Sequence, residues 1–357
     1  MNEYEPPIER YSLRVRTPLY LRILRHPFIR LFLGTILLFL SFVIPQVAVA
    51  LAYFALTGDQ DFAKNQTVML IAECCQLVVL PIYIAFVLMV EGRRVSELAP
   101  RPAIVDFVKG AMISCALIST VIGILLLLGA YEIAGYSSAD AMLFPLGMAI
   151  GSGISEEIIA RGLWFRVMEE WLGSAIGLAF SAFLFGFIHI LNPGATVYSS
   201  VAITLEAGLI LGAAYMLTRR LWMSIGMHMA WNFTLGGIFG AGVSGQDWKG
   251  LIQLKQTGSD LLTGGDFGPE ASIVCLIVCT IGGICVLALA IRRGQWVELF
   301  GRKATAPASE APSDGVSPST LGAITADPAS QPSSTKYQPE SPPDSPTQNR
   351  PDPIDEL

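Results

Sequence analysis

The sequence predicts an all-α protein of the membrane: a polytopic helical bundle of about eight transmembrane helices with both termini cytoplasmic. Three observations predict it. Of the 357 residues, 52% are hydrophobic and 15% charged, against roughly 25% charged in a soluble domain. Long apolar runs recur from residue 31 to residue 291. Lys and Arg gather on every second connection between those runs.

In chain order the runs cover residues 31–56, 67–90, 110–130, 141–154 (continuing past its acids), 174–191, 201–217, 222–239 and 272–291. Most match the roughly 17–25 residues that cross a bilayer as a helix. The first is too long for a signal peptide and lacks a small-residue cleavage site, so it reads as a retained span. Segments on one side carry eighteen Lys or Arg, from the basic stretch ending at Arg30 to the one ending at Lys303, whereas the other side carries Lys64, Lys249 and Lys255. The excess of positive charge marks the cytoplasmic face. The connection over 240–270 then lies outside, where it is expected to be the most protease-sensitive external segment.

The chain divides into a basic cytoplasmic N-terminal arm (1–30), a membrane-embedded domain (31–293) and an acidic Pro/Ser-rich tail (302–357). From Ala304 onward there are eight acids and two bases, which accounts for the whole formal charge of −6. The tail lacks the large apolar residues a core needs and is expected to be disordered. The membrane domain is near neutral, so the acidic balance says nothing about substrate. All six cysteines fall inside apolar runs and read as small core residues. Cys275 and Cys279 share a helix face, but no further ligand neighbours them in sequence, so no metal or redox role is expected.

An ionisable group inside a span is costly and points to function. The candidates are Glu73, Glu156, Glu157, Arg161, His189, Glu206 and His228, with Asn232 beside them. Glu157 and Arg161 stand at i and i+4, acid first, the favoured order for a pair on one helix face. Glu156 is rotated about 100° away and stays available. His189 follows Phe185 by four residues and precedes the helix-stopping Asn192-Pro193-Gly194. His228 and Asn232 again share a face. If the fourth helix runs to a turn near Trp171–Gly173, Glu156 and His189 come level, about 25 Å from that turn at roughly 1.5 Å per residue. The expected site is then about a third of the way in from the cytoplasm, with Arg166, Glu169 and Glu170 carrying the polarity of a helical extension into water.

One free carboxylate, two histidines and an amide at one depth suit hydrolysis by an activated water. Glu156 acts as general base, His189 helps hold the water, and His228 with Asn232 donates to the oxyanion of a peptide carbonyl. The rival chemistry is a zinc site with Glu156, His189 and His228 as ligands and an open fourth position, although the H-E-x-x-H arrangement is lacking.

At these residues the chain resembles the CPBP or Abi family of intramembrane endopeptidases, the bacterial relatives of the CAAX prenyl proteases of the Rce-one type. The family pattern E-E-x-x-x-R, F-x-x-x-H and H-x-x-x-N is met by Glu156-Glu157-x-x-x-Arg161, Phe185-x-x-x-His189 and His228-x-x-x-Asn232. The likeness covers about residues 138–240. It implies an endopeptidase of a bacterial cell membrane cutting near the cytoplasmic face. It further implies Glu156, His189, His228 and Asn232 as catalytic residues, with Glu157 and Arg161 positioning them. The implied partners are the bilayer and a peptide or protein substrate, prenylated or otherwise membrane-associated, and not nucleic acid. No cofactor is implied by the glutamate chemistry, though the family is widely classed with metalloproteases. Two other classes stay open: a non-catalytic scaffold or bacteriocin-immunity protein, and a proton-coupled transporter using Glu73 and Glu206.

Overall fold

The computed structural model describes residues 18–61 and 65–299. The tail from 302 and the first part of the N-terminal arm lie outside them. After a short helix, Leu19–Leu24, the chain forms α1 (Pro27–Thr57), α2 (Gln66–Glu91), α3 (Ala103–Leu127), α4 (Ala139–Leu172), α5 (Ser174–Leu191) and α6 (Val197–Thr218). Then come α7 (221–238) and α8 (Ile273–Arg292). Every expected span is present as a helix, but only seven are long and apolar enough to cross a membrane on composition. The exception is α7, which carries His228 and Asn232 amid its apolar residues. Its mean hydropathy is reduced by those polar side chains.

Burial orders the bundle. Half or more of the apolar window is buried in α4 (50%) and α6 (67%), against 11% in α1, so α4 and α6 are central and α1 is peripheral. Outward-facing Leu56, Met89, Ile104, Leu127 and Leu191 remain highly exposed. On a soluble protein such a surface would aggregate; here it is the lipid-facing surface. The chain is an integral, multi-pass membrane protein. One core joins α2, α4, α5, α6 and α7 through Tyr83, Leu163, Phe165, Phe185, Ile210 and Met227. A second joins α3 and α8 to α7 and the segment after it through Ile122, Trp231, Trp248 and Cys279.

Glycine lets the site helices approach. A Cβ on Gly153 of α4 would lie 2.5 Å from the Met229 side chain of α7, and one on Gly186 of α5 would lie 2.5 Å from the Ser200 carbonyl oxygen of α6. Both contacts are closer than any real Cβ allows. Small residues are the usual means of bringing helix backbones together in lipid. Gly153 and Met229 stand beside Glu156 and His228, so this contact draws the two halves of the site together.

One expectation fails here, and one segment is more ordered than its composition suggests. In the connection over 240–270, Ile252–Gln256 pairs antiparallel, as β2, with β1 (Tyr131–Tyr136). Phe267, Trp248 and Glu270 of this segment are buried. Its partner strand lies some 120 residues away in sequence, a non-local pairing that local periodicity does not report. Arg166 and Glu169 do not face water. They are buried, with Arg166 paired to Glu91 at 2.7 Å and Glu170 at 2.8 Å, and Glu169 to Arg219. Their polarity is satisfied by other helices, so it is no sign of a solvated extension.

Candidate active site

The helix that supplies Glu156 changes character immediately after it. α4 is α-helical to Glu157 and then π-helical over Ile158–Phe165. Similar π turns follow Asn232 in α7 (Phe233–Ile238) and surround Glu206 in α6 (Thr204–Gly208). Such turns are often found at functional sites, because the extra residue shifts the register of everything beyond it. Sequence reasoning treated these helices as regular.

Glu157 and Arg161 are both fully buried and pair at 2.6 Å, as the i, i+4 spacing predicted. The guanidinium also donates to the carbonyls of Ala207 (3.3 Å) and Gly208 (3.2 Å). It lies 4.4 Å from the centre of the Phe185 ring. Arg161 thus ties α4 to α5 and α6, a packing role that its spacing alone could not show. The same Glu157 oxygen that meets Arg161 lies 3.0 Å from His228 Nδ1. Glu157 is therefore a bridge: it neutralises Arg161 and orients His228.

That bond decides what His228 can do. With Nδ1–H donated to Glu157, Nε2 is left facing Glu156 Oε2 at 4.0 Å. A neutral imidazole offers only a lone pair there; an imidazolium offers a second N–H. The adjacent Asn232 donates one Nδ2 hydrogen to Ser152 Oγ at 3.0 Å and keeps its other N–H. On α5, His189 Nδ1 meets the Phe185 carbonyl at 2.7 Å. As carbonyls only accept, His189 carries its proton on Nδ1 and presents Nε2 as an acceptor. Phe185 is the common wedge, its ring 5.0 Å from His189 and 5.7 Å from His228.

Glu156 and His189 line one cavity of about 250 Å³, with Phe39 and Phe42 of α1, Trp164 of α4 and Asn192 after α5. It runs from Glu156 along α4 to Trp164, toward the C-terminal end of α4. A second space, about 10 Å³, is enclosed by His189, His228, Asn232, Ser244 and Glu270. That is about the room one water needs. All four predicted catalytic residues thus border two adjoining spaces.

Sequence reasoning missed Glu270. It accepts hydrogen bonds from Trp231 Nε1 at 2.7 Å and from the Ser244 backbone N–H. Burial pushes its carboxyl above the usual range despite those donors. Its neighbour Ser244 accepts from Asn192 at 2.9 Å through its carbonyl. The segment after α7, expected wholly outside, therefore folds inward and closes the site. Glu270 lies in no motif, and its only sequence signal was an acid a few residues before an apolar run. Glu73, in contrast, packs behind α4 with Gln46 and Gln76 as partners and lines neither space.

The zinc alternative can be tested on donor geometry. Among the described residues, one group of three His, Cys, Asp or Glu side chains has its ligand atoms all within 4.8 Å of one another, and it is not Glu156, His189 and His228. Glu156 and His228 stand 4.0 Å apart, but their donor atoms and those of His189 do not all come within 4.8 Å of one another. They do not fit a zinc ion as arranged.

The fold and this site define a multi-pass helical membrane protein with an acid–histidine cavity inside the bundle. Residues 138–234 match the family model described as Rce1-like, type II CAAX prenyl endopeptidase. That stretch holds Glu156, Glu157, Arg161, His189, His228 and Asn232, so the candidate site lies wholly within an Rce1-like segment, while Glu270 lies beyond it. No curated protein and no solved structure matches the chain.

Proposed function

We propose that this protein is a CAAX-type intramembrane endopeptidase that hydrolyses peptide bonds by a glutamate-activated water. The observation that carries the reading is the division of labour between adjacent acids. Glu157 is sealed and neutralised by Arg161, whereas Glu156 is half-buried and reaches the cavity beside His189. Glu156 takes a proton from water, which His189 Nε2 holds by accepting its other hydrogen. The hydroxide adds to the peptide carbonyl carbon, and the oxygen that becomes negative accepts from His228 Nε2–H and the free Asn232 N–H. Collapse of this intermediate breaks the C–N bond as Glu156 returns the proton to the leaving nitrogen. One water is consumed, and a carboxylate and an amine are released.

The cavity's apolar walls and its position between α1, α4 and α5 suit a chain delivered from lipid, approaching from the cytoplasmic end of α4. Prenylated C-terminal peptides, leader peptides and membrane-protein fragments share that property. The test is cleavage of such peptides by purified protein, together with the proteome of membranes holding wild-type or Glu156→Gln protein. Fragments that depend on Glu156 support the reading; cleavage unchanged by Glu156→Gln rejects Glu156 as the base, and the absence of any cleavage favours a scaffold. Protein stripped by a strong chelator is expected to keep most of its peptidase activity while it remains folded.

A further inference from the structure

Among the described residues, the acid with the fewest polar partners lies outside the active site. Glu206 sits in the π turn of α6, is 0% exposed, and its carboxylate meets no hydrogen-bond partner other than the Cys275 thiol. Burying an unpaired carboxylate costs several kcal/mol unless a proton or cation compensates it. A carboxylate so poorly paired in a native core calls for an explanation. Across from it on α8 stand Cys275 and Cys279, 1% and 0% exposed, one helical turn apart with their sulfurs separated by 3.8 Å. One ligand atom from each of the three lies within 4.8 Å of the others.

We propose that Glu206, Cys275 and Cys279 form a binding site for a zinc-class divalent cation that fastens α8 to α6. Two thiolates with a carboxylate are a donor set suited to such borderline ions and poorly suited to magnesium or calcium. Two sulfurs each about 2.3 Å from a tetrahedral ion are about 3.8 Å apart, the spacing already present. The second carboxylate oxygen or one water completes the coordination. Thiols lose their protons to solvent as the metal–sulfur bonds form, and nothing is oxidised or reduced. Spacing along the chain did not point to this group because the third ligand comes from α6, some 70 residues away. This site shares no residue with the peptidase cavity and does not depend on that reading.

The test uses full-length protein in detergent, stripped of metal and titrated with cobalt(II). One equivalent should bind and produce a thiolate-to-cobalt charge-transfer band. The band should vanish in Cys275→Ala/Cys279→Ala protein and persist in Glu156→Gln protein. Glu206→Gln should weaken binding about tenfold or more, since losing a ligand costs at least what losing its supporting partner does. Absence of the band, its survival without the cysteines, or its loss in Glu156→Gln protein overturns the proposal. Should the cysteine variants fail to fold, X-ray absorption on zinc-loaded wild-type protein decides. Two sulfur ligands support the site, and a shell of nitrogen and oxygen alone rejects it.

Discussion

Two polar clusters lie along α4, and the difference between them separates structure from chemistry. Toward the end of the helix, Arg166 joins Glu91 and Glu170, Arg30 joins the same two acids, and Arg93 joins Glu91 and Glu97. Tyr83 shares its one hydroxyl hydrogen between Glu97 and the Gly162 carbonyl, 2.9 Å away. Every acid there meets at least one arginine. Earlier in α4, two acids share one arginine and one histidine, and Glu156 has no nearer ionic partner than His228 at 4.0 Å. A saturated network fixes helices in place; an unsaturated one leaves a group free to move a proton. The presence of buried charge is common to both, and only the pairing tells them apart.

Substitutions can break that contrast, beginning with the largest effect. Glu156→Gln should lower peptide turnover about 10² to 10⁴-fold with the thermal midpoint unchanged. A marked loss of stability instead would place Glu156 with the structural acids. Next, Arg166→Ala should cost about 1–3 kcal/mol, because Glu91 and Glu170 each lose one charged hydrogen-bond partner while Arg30 and Arg93 remain. Denaturation in detergent should show this, with surviving folded protein keeping its turnover per site. Asn232→Ala removes one oxyanion donor and should reduce turnover about 10² to 10³-fold with little change in stability.

Glu157→Gln sharpens the comparison, because this residue belongs to both classes. It should weaken the fold through Arg161, and it should also change the pH–rate profile. If His228 donates as an imidazolium, activity is lost as the pH rises past its deprotonation. Without the Glu157 carboxylate that alkaline limb should move to lower pH. A profile of unchanged shape would reduce Glu157 to a structural residue.

The smallest effect concerns Glu97, in the connection between α2 and α3. Burial alone would raise its carboxyl, but hydrogen bonds from Arg93 and Tyr83 and the charge of Arg166 outweigh it, leaving it below its ordinary value of 4.5. A carboxyl lowered on folding contributes stability above its unfolded value, and that contribution is lost as the pH falls through its folded value. Wild-type protein should therefore lose stability below about pH 4.5, and Glu97→Gln should be less stable near neutrality but less sensitive to that acid step.

The sequence by itself determined the membrane class and the eight helical segments, and it picked out the ionisable residues that gather inside the bundle. Span length and charge asymmetry are local or additive properties, and Glu157 with Arg161 and His228 with Asn232 are fixed by helical spacing. Even α5 was bounded correctly, because Gly173 and Asn192-Pro193 stop a helix through local backbone chemistry. Spacing already paired Glu157 with Arg161 and left Glu156 available; tertiary structure alone added His228, which arrives from α7 to share the Glu157 oxygen with Arg161. It also decided that Arg166 and Glu169 are buried, that β1 and β2 join the connections before α4 and after α7, and that Glu270 closes the cavity. The meeting of Glu206 with two cysteines belongs with these. Each rests on groups far apart in the chain, and a hydrogen bond or ligand set between them leaves no period in the sequence to be read.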